Sequence, residues 1–229
     1  MNSLFSHLID ELKTHPFFTP LSIPSDFQHK SIERAQGSLN LHSQAYLLKE
    51  YGELRSVVIQ SSKIEIISCF FYPFAQWDLP IYAMEFVSLA KKPIVGVLDL
   101  PCLSGTAHLP AQAFMANLLA KYQFQLSTDY PDWYKECRSG YDIFTRPENH
   151  AVFERLSQAH RDILDEIPQF AAQASLLSAV DLNAHRQQIK SYQEHHLVNS
   201  PGLPLMNNLF GQAWTSAFLE EWFFAASTL

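Results

Sequence analysis

KIEIISCFFYP at 63–73, IYAMEFVSL at 81–89 and PIVGVLDL at 93–100 decide the fold. Each run is short, rich in β-branched and aromatic residues, and bounded by proline-containing or polar turns, the signature of strands. Two further runs upstream, SLNLHSQAYLLKE at 38–50 and ELRSVVIQ at 53–60, read the same way. The connections are too short for crossover helices: GlnSerSer at 60–62 and AlaLysLys at 90–92 are typical. The strands therefore form an antiparallel meander, and a parallel Rossmann sheet is excluded.

Upstream, residues 2–14 carry Leu4, Leu8 and Leu12 at helical spacing, and ThrProLeuSerIlePro at 19–24 breaks regular structure, giving an N-terminal helix and linker over 1–37. Downstream of about 110 the apolar period changes to three and four. Helices are expected over PAQAFMANLLAKYQF, ENHAVFERLSQAHRDILDEIPQFAAQASLL, DLNAHRQQIKSYQEHHLVN and PLMNNLFGQAWTSAFLEEWFF. A sheet at about 38–101 followed by helices over about 110–225 is an α+β arrangement with helices on the sheet faces. One domain, 1–229, is the expectation at this length. The tail 225–229 is expected to fray.

Charged residues are only 17% of the chain, and 17 Phe, 9 Tyr and 4 Trp suit either a dense core or the enclosure of something flat and apolar. Three scattered cysteines, Cys69, Cys102 and Cys137, form neither a metal motif nor a disulfide framework, which points to a reducing, cytoplasmic setting. No stretch reaches the roughly 18 apolar residues that span a bilayer. The net charge of −7 argues against nucleic acid as a partner. A negative partner would need a local patch, for which Lys91, Lys92, Lys121, Lys135 and Arg138 are candidates, although scattered lysines are more often solvated surface.

Signatures of nucleotide or zinc enzymes, GxGxxG, the P-loop, GxSxG and HExxH, are absent. His185 and His196 lie about three helical turns apart, too far to share one metal ion, and no metal site is expected. Glu85 is the residue that attracts chemistry. It lies mid-strand between Met84 and Phe86 and shares a face with Ile81, Ala83 and Val87. In an apolar setting its carboxyl would keep a proton near neutral pH and serve as a proton donor; on an edge strand it would point into water or pair with a cation. Ser68, on the preceding strand, is either a tolerated small residue or, if opposite Glu85, its partner. Asn199 and Ser200 at the turn after 181–199 either stop a helix in the ordinary way or reach into a neighbouring cavity.

Taken together, FFYPFAQWDLPIYAMEFVSL at 70–89, followed by PIVGVLDLP, resembles the ferredoxin-dependent bilin reductases, whose strands read "LP-x-x-x-x-D/E-hydrophobic" and "-DL-x-P". HRQQIKSYQEHHLVNSPG at 185–202 is similar to the family's helix with a His-Arg start and an Asn or Asp before the next turn. FGQAWTSAFLEEWFF resembles its closing "FG-x-x-W" helix, and DYPDWYKECRSGYDIFTRP its "P-W-…-S-…-RP" segment. The matching pieces cover about residues 50–220.

The resemblance implies a three-layer α/β/α sandwich around a central antiparallel sheet, monomeric by family habit. It implies an enzyme with no bound cofactor that takes single electrons from a reduced [2Fe-2S] ferredoxin and reduces biliverdin IXα or a dihydrobiliverdin. By resemblance Glu85 stands where most members carry a catalytic aspartate, and Asn199 where they carry a second Asp or Asn. Ser68 stands where phycocyanobilin-forming members carry a histidine, and Ser56 replaces the family's sheet glutamate. The missing imidazole points away from phycocyanobilin as product and toward a two-electron reduction or reduction of a different ring. Ser200, Arg138 and Arg146 are candidates for substrate binding, the arginines because a guanidinium forks onto a propionate, with a surface role as the alternative. Red chlorophyll catabolite reductases are similar in having a glutamate on that strand, so a chlorophyll-derived linear tetrapyrrole is an alternative substrate. A non-catalytic bilin-binding protein is the alternative to an enzyme.

Overall fold

The computed structural model describes residues 5–33, 37–103 and 107–226. Leu4 and Ser227–Leu229, named above for the first helix and the tail, lie outside them. The expected strands are present as β3 (Leu39–Leu48), β4 (Gly52–Gln60), β5 (Ile64–Pro73), β6 (Tyr82–Leu89) and β7 (Lys92–Asp99). They pair consecutively and antiparallel. The β6–β7 hairpin turns through Ala90 and Lys91, whose φ angles of 48° and 65° match the two-residue turn that follows a sheet's right-handed twist.

The region expected to be linker is a correction: β1 (Phe18–Leu21) and β2 (His29–Ile32) both pair with β3, one beyond the other along its outer edge. Pro20 is tolerated because β1 is an edge strand with only one neighbour to bond. A further short strand, β8 (Ile143–Thr145), closes the opposite edge against β7. The sheet order is β1-β3-β4-β5-β6-β7-β8, with β2 beside β3.

Alternation sorts the sheet into two faces. Leu54, Ile67, Met84, Phe86 and Leu98 face a core shared with α1 (Ser6–Leu12), α3 (His108–Tyr122) and α5 (His150–Gln173). Helix α5 is started by Asn149, whose side chain accepts from Val152 N at 3.1 Å, and buries Phe153, Leu156, Ile163 and Ile167 at helical spacing. It approaches β7 closely at Gly96, where a Cβ would collide with Leu156.

The other face, bearing Leu41, Val57, Ile59, Phe70 and Ala83, packs against α6 (Ala179–Asn199), α7 (Gly202–Phe210), α8 (Gln212–Phe218) and a π-turn at Leu219–Phe223. Ser178 caps α6 through Asp181 N. The expected closing helix at 204–224 is divided by Gly211, whose φ of 88° ends α7 and starts α8 at a new angle. The π-turn is tied to the sheet by Arg55 of β4, which is buried, donates to the carbonyls of Trp222 and Ala225, and pairs with Glu53 at 2.6 Å. The architecture is the three-layer α/β/α sandwich. Among the described residues no helix is long and apolar enough to cross a membrane.

Candidate active site

Between the sheet and α6–α8 lies a cavity of about 430 Å³, a size that suits a small-molecule ligand. Its floor is apolar, built by Val57, Ile66, Phe70, Ala83, Val87 and Val97. Its roof, from the other layer, is Leu203, Met206, Phe218, Leu219 and Phe223. Against this greasy background Glu85 and Ser68 are the polar groups of the floor's centre.

The register places Ser68 directly across from Glu85, with Val57 and Val97 as the next neighbours in the same row. The Ser68 hydroxyl donates to a Glu85 carboxylate oxygen at 3.3 Å. No cation pairs with Glu85 among the described residues, and burial pushes its carboxyl above the usual glutamate value while the Ser68 hydrogen bond, favouring the ionised form, opposes the shift. Glu85 is thus a half-buried carboxyl able to hold a proton inside an apolar cavity.

Ser200 and Arg146 line the same cavity. Arg146 is half-exposed and sits 3.3 Å from the exposed Asp129, so its guanidinium can exchange a solvated partner for an acidic ligand. Asn199 is elsewhere: its exposed side chain folds back on α6, donating to the His195 carbonyl at 3.0 Å. Arg138 lines a separate hollow shared with Cys102, Gln188 and His195. There it stacks on Tyr130 and holds the fully buried Asp142 through Nε at 2.7 Å. Ser56, opposite Cys69, points to the other face of the sheet.

The sequence reading weighed His196 only as a metal ligand and set it aside; it lines the cavity from the helix side, across from the strands. It is buried, 5% exposed, and wedged among Tyr192, Phe70, Trp133 and Phe224. Burial pushes its imidazole down to about 3, helped by His195, so the ring is neutral at physiological pH. The signal was the spacing of four from Tyr192 to His196 to Ser200, which sets all three on one helix face. Asp99 was passed over. It accepts from Leu100 N at 2.8 Å and Ser139 N at 3.0 Å, and burial with Asp142 nearby pushes its carboxyl up to about 7.

Residues 5–225 match the model of the ferredoxin-dependent bilin reductases. The chain belongs to that family. Among its bilin reductase relatives, a 15,16-dihydrobiliverdin:ferredoxin oxidoreductase of Gloeobacter violaceus is 25% identical over 224 residues, covering 95% of this chain and 92% of the relative. A phycocyanobilin:ferredoxin oxidoreductase of the same organism is 24% identical, covering 89% and 79%. The crystal structure of tomato phytochromobilin synthase in complex with biliverdin superposes with a TM-score of 0.80 over 96% of this chain and 82% of that one, at 18% identity, which shows a shared fold.

Proposed function

We propose that this bilin reductase family member reduces a linear tetrapyrrole, biliverdin IXα or a dihydrobiliverdin, held in the cavity between the sheet and α6–α8, with electrons from a [2Fe-2S] ferredoxin and Glu85 as a proton donor. The observation that carries the reading is the uncompensated Glu85 carboxyl beside Ser68 in an otherwise apolar cavity of a chain of this family. Two electrons arriving singly leave the pigment two protons short. Each reduced intermediate is more basic than the pigment before it, so an acid that keeps its proton at neutral pH and stands against the reacting carbon completes the step.

The chain's part in this is positional. The apolar floor and roof bind the pigment's faces and exclude water, Ser68 holds the carboxylate once its proton has left, and Arg146 at the rim fits a propionate. His196, neutral and facing the same cavity, can give or accept a hydrogen bond to a pyrrole or lactam group from the helix side. A serine where an imidazole would pair with the acid supports a two-electron reduction, and the Gloeobacter violaceus relative named for 15,16-dihydrobiliverdin fits that count. The free thiols Cys69, Cys102 and Cys137 suit a cytoplasmic setting.

Anaerobic incubation of the purified protein with reduced ferredoxin and either biliverdin IXα or 15,16-dihydrobiliverdin tests the proposal. Loss of the pigment's long-wavelength band and appearance of a more saturated bilin supports it. Stoichiometric binding with an unchanged spectrum, while a known reductase turns over alongside, refutes it and leaves a carrier.

A further inference from the structure

The sheet end formed by the β4–β5 and β6–β7 turns gathers three lysines. Lys63 stands in the first turn, Lys91 in the second and Lys92 at the start of β7, and all three are exposed. The turns are bonded to each other, Ala90 N donating to the Lys63 carbonyl at 2.7 Å, and Ile64 pairs with Leu89 just inside them. No carboxylate answers any of the three among the described residues. That is unusual in this chain, where most other cations are engaged: Lys13 with Asp10, Lys49 with Glu50, Lys121 with Asp162, Lys135 with Asp132 and Lys190 with Glu194. The one acid in the adjoining strand start, Glu65, is buried on the opposite face and accepts from Phe5 N.

Leu89, 45% exposed, sits among these lysines, and it also lines the Glu85 cavity together with Ile64 and Ile94. The patch is therefore a lip of the candidate active site. From Glu85 to Leu89 is four residues along one strand, roughly 14 Å at the strand rise. An apolar centre flanked by unpaired positive charge on a protein of net charge −7 is an arrangement that favours the approach of a negatively charged partner at this end of the sheet.

We infer that this turn surface, Lys63, Lys91 and Lys92 around Leu89, is where an acidic [2Fe-2S] ferredoxin docks to deliver electrons into the cavity. The inference rests on the ferredoxin dependence proposed above. Complementary charge sets the encounter rate and orientation, and Leu89 gives the contact a dry centre. An electron carrier held there faces the end of the cavity and not its roof.

The test is calorimetric titration of a [2Fe-2S] ferredoxin into the wild type and into K63E/K91N/K92E, where asparagine suits the positive φ of Lys91. The expected result is binding weakened by ~10-fold or more, with the salt dependence of the wild type largely lost. K49E, at the opposite end of the sheet, and the affinity for bilin should both stay unchanged. Should the charge reversal disturb folding, K63Q/K92Q should still weaken ferredoxin binding by about threefold. Equal binding by wild type and lysine variants, an equal loss in K49E, no binding by the wild type, or loss of bilin affinity with ferredoxin affinity intact would each overturn the inference. A protein that binds ferredoxin through these lysines yet reduces no bilin sinks the reductase reading and leaves the docking surface standing.

Discussion

Glu85→Gln removes one proton from the cavity and almost nothing else. Glutamine has the shape of glutamate, and the Ser68 hydroxyl, 3.3 Å from the carboxylate, can still donate to the amide oxygen. Pigment binding should therefore persist. A positioned general acid contributes about 100- to 10,000-fold to a rate, or roughly 3–5 kcal/mol of barrier, so single-turnover bilin reduction should slow by that factor with the dissociation constant unchanged. The pH dependence sharpens the case. Burial raises the Glu85 carboxyl, so the wild type stays protonated to higher pH than an ordinary glutamate and its rate falls as pH rises through that raised value. The glutamine variant should lack this alkaline limb. The same shift means that folding stability is lost as pH rises from the unfolded glutamate value through the folded one, so the variant should be at least as stable as wild type at neutral pH. Glu85→Asp keeps the acid but withdraws it by one bond, about 1.5 Å, enough to break the Ser68 contact, and should fall between the two. Stopped-flow reduction with bound pigment is the assay. A glutamine variant that reduces bilin within about threefold of the wild-type rate would refute Glu85 as the donor.

His196 is neutral and buried in the fold but titrates normally when unfolded, so the unfolded chain binds the extra proton and stability falls as pH drops from about 6.5 toward 3. His196→Phe should flatten that loss, on the order of a few kcal/mol, in urea midpoints compared at pH 7 and pH 4.5; an unchanged acid slope would count against a buried neutral imidazole. Gly96→Ala places a methyl group against the buried Leu156 and should destabilise the fold by about 1–3 kcal/mol in chemical denaturation, with bilin affinity unaffected because the clash lies on the other face of the sheet. No change in midpoint would mean that Leu156 yields at no cost and that α5 and β7 are loosely apposed at Gly96.

The meander was legible because β5 and β6 are short β-branched and aromatic runs joined to their neighbours by turns too tight for a crossover helix, whereas alternation within each strand left open whether Ser68 and Glu85 meet, which only the register decides. β1, β2 and β8 were illegible for a shared reason: each has only three or four residues and gains its stability from one long neighbour, so its own pattern carries little. Within the site, Ser200 was legible as a residue able to reach a cavity, whereas Arg146, which also lines it, was named only as a partner for a propionate. The placement of Asn199 was not legible, since a single position of helix phase decides whether a side chain at a helix end faces the cavity or turns back on His195. His196 escaped because α6 buries His185, Gln193 and His196 alongside Ile189 and Tyr192, so its inner face is nearly as polar as its outer one and hydrophobic spacing says little about it.

The Arg55 tether has a consequence for assembly. The floor of the cavity comes from residues 57–97 and its roof from residues beyond 196, so a partly folded chain can finish the sheet while its apolar floor is still bare. Arg55, paired with Glu53 in that sheet, then lacks the Trp222 and Ala225 carbonyls that complete its hydrogen bonding, and docking of the last helical turns supplies them as it covers the floor. Chains shortened ahead of residue 222 should accordingly be sticky, prone to self-association, and partly rescued by a bilin that covers the uncovered strands.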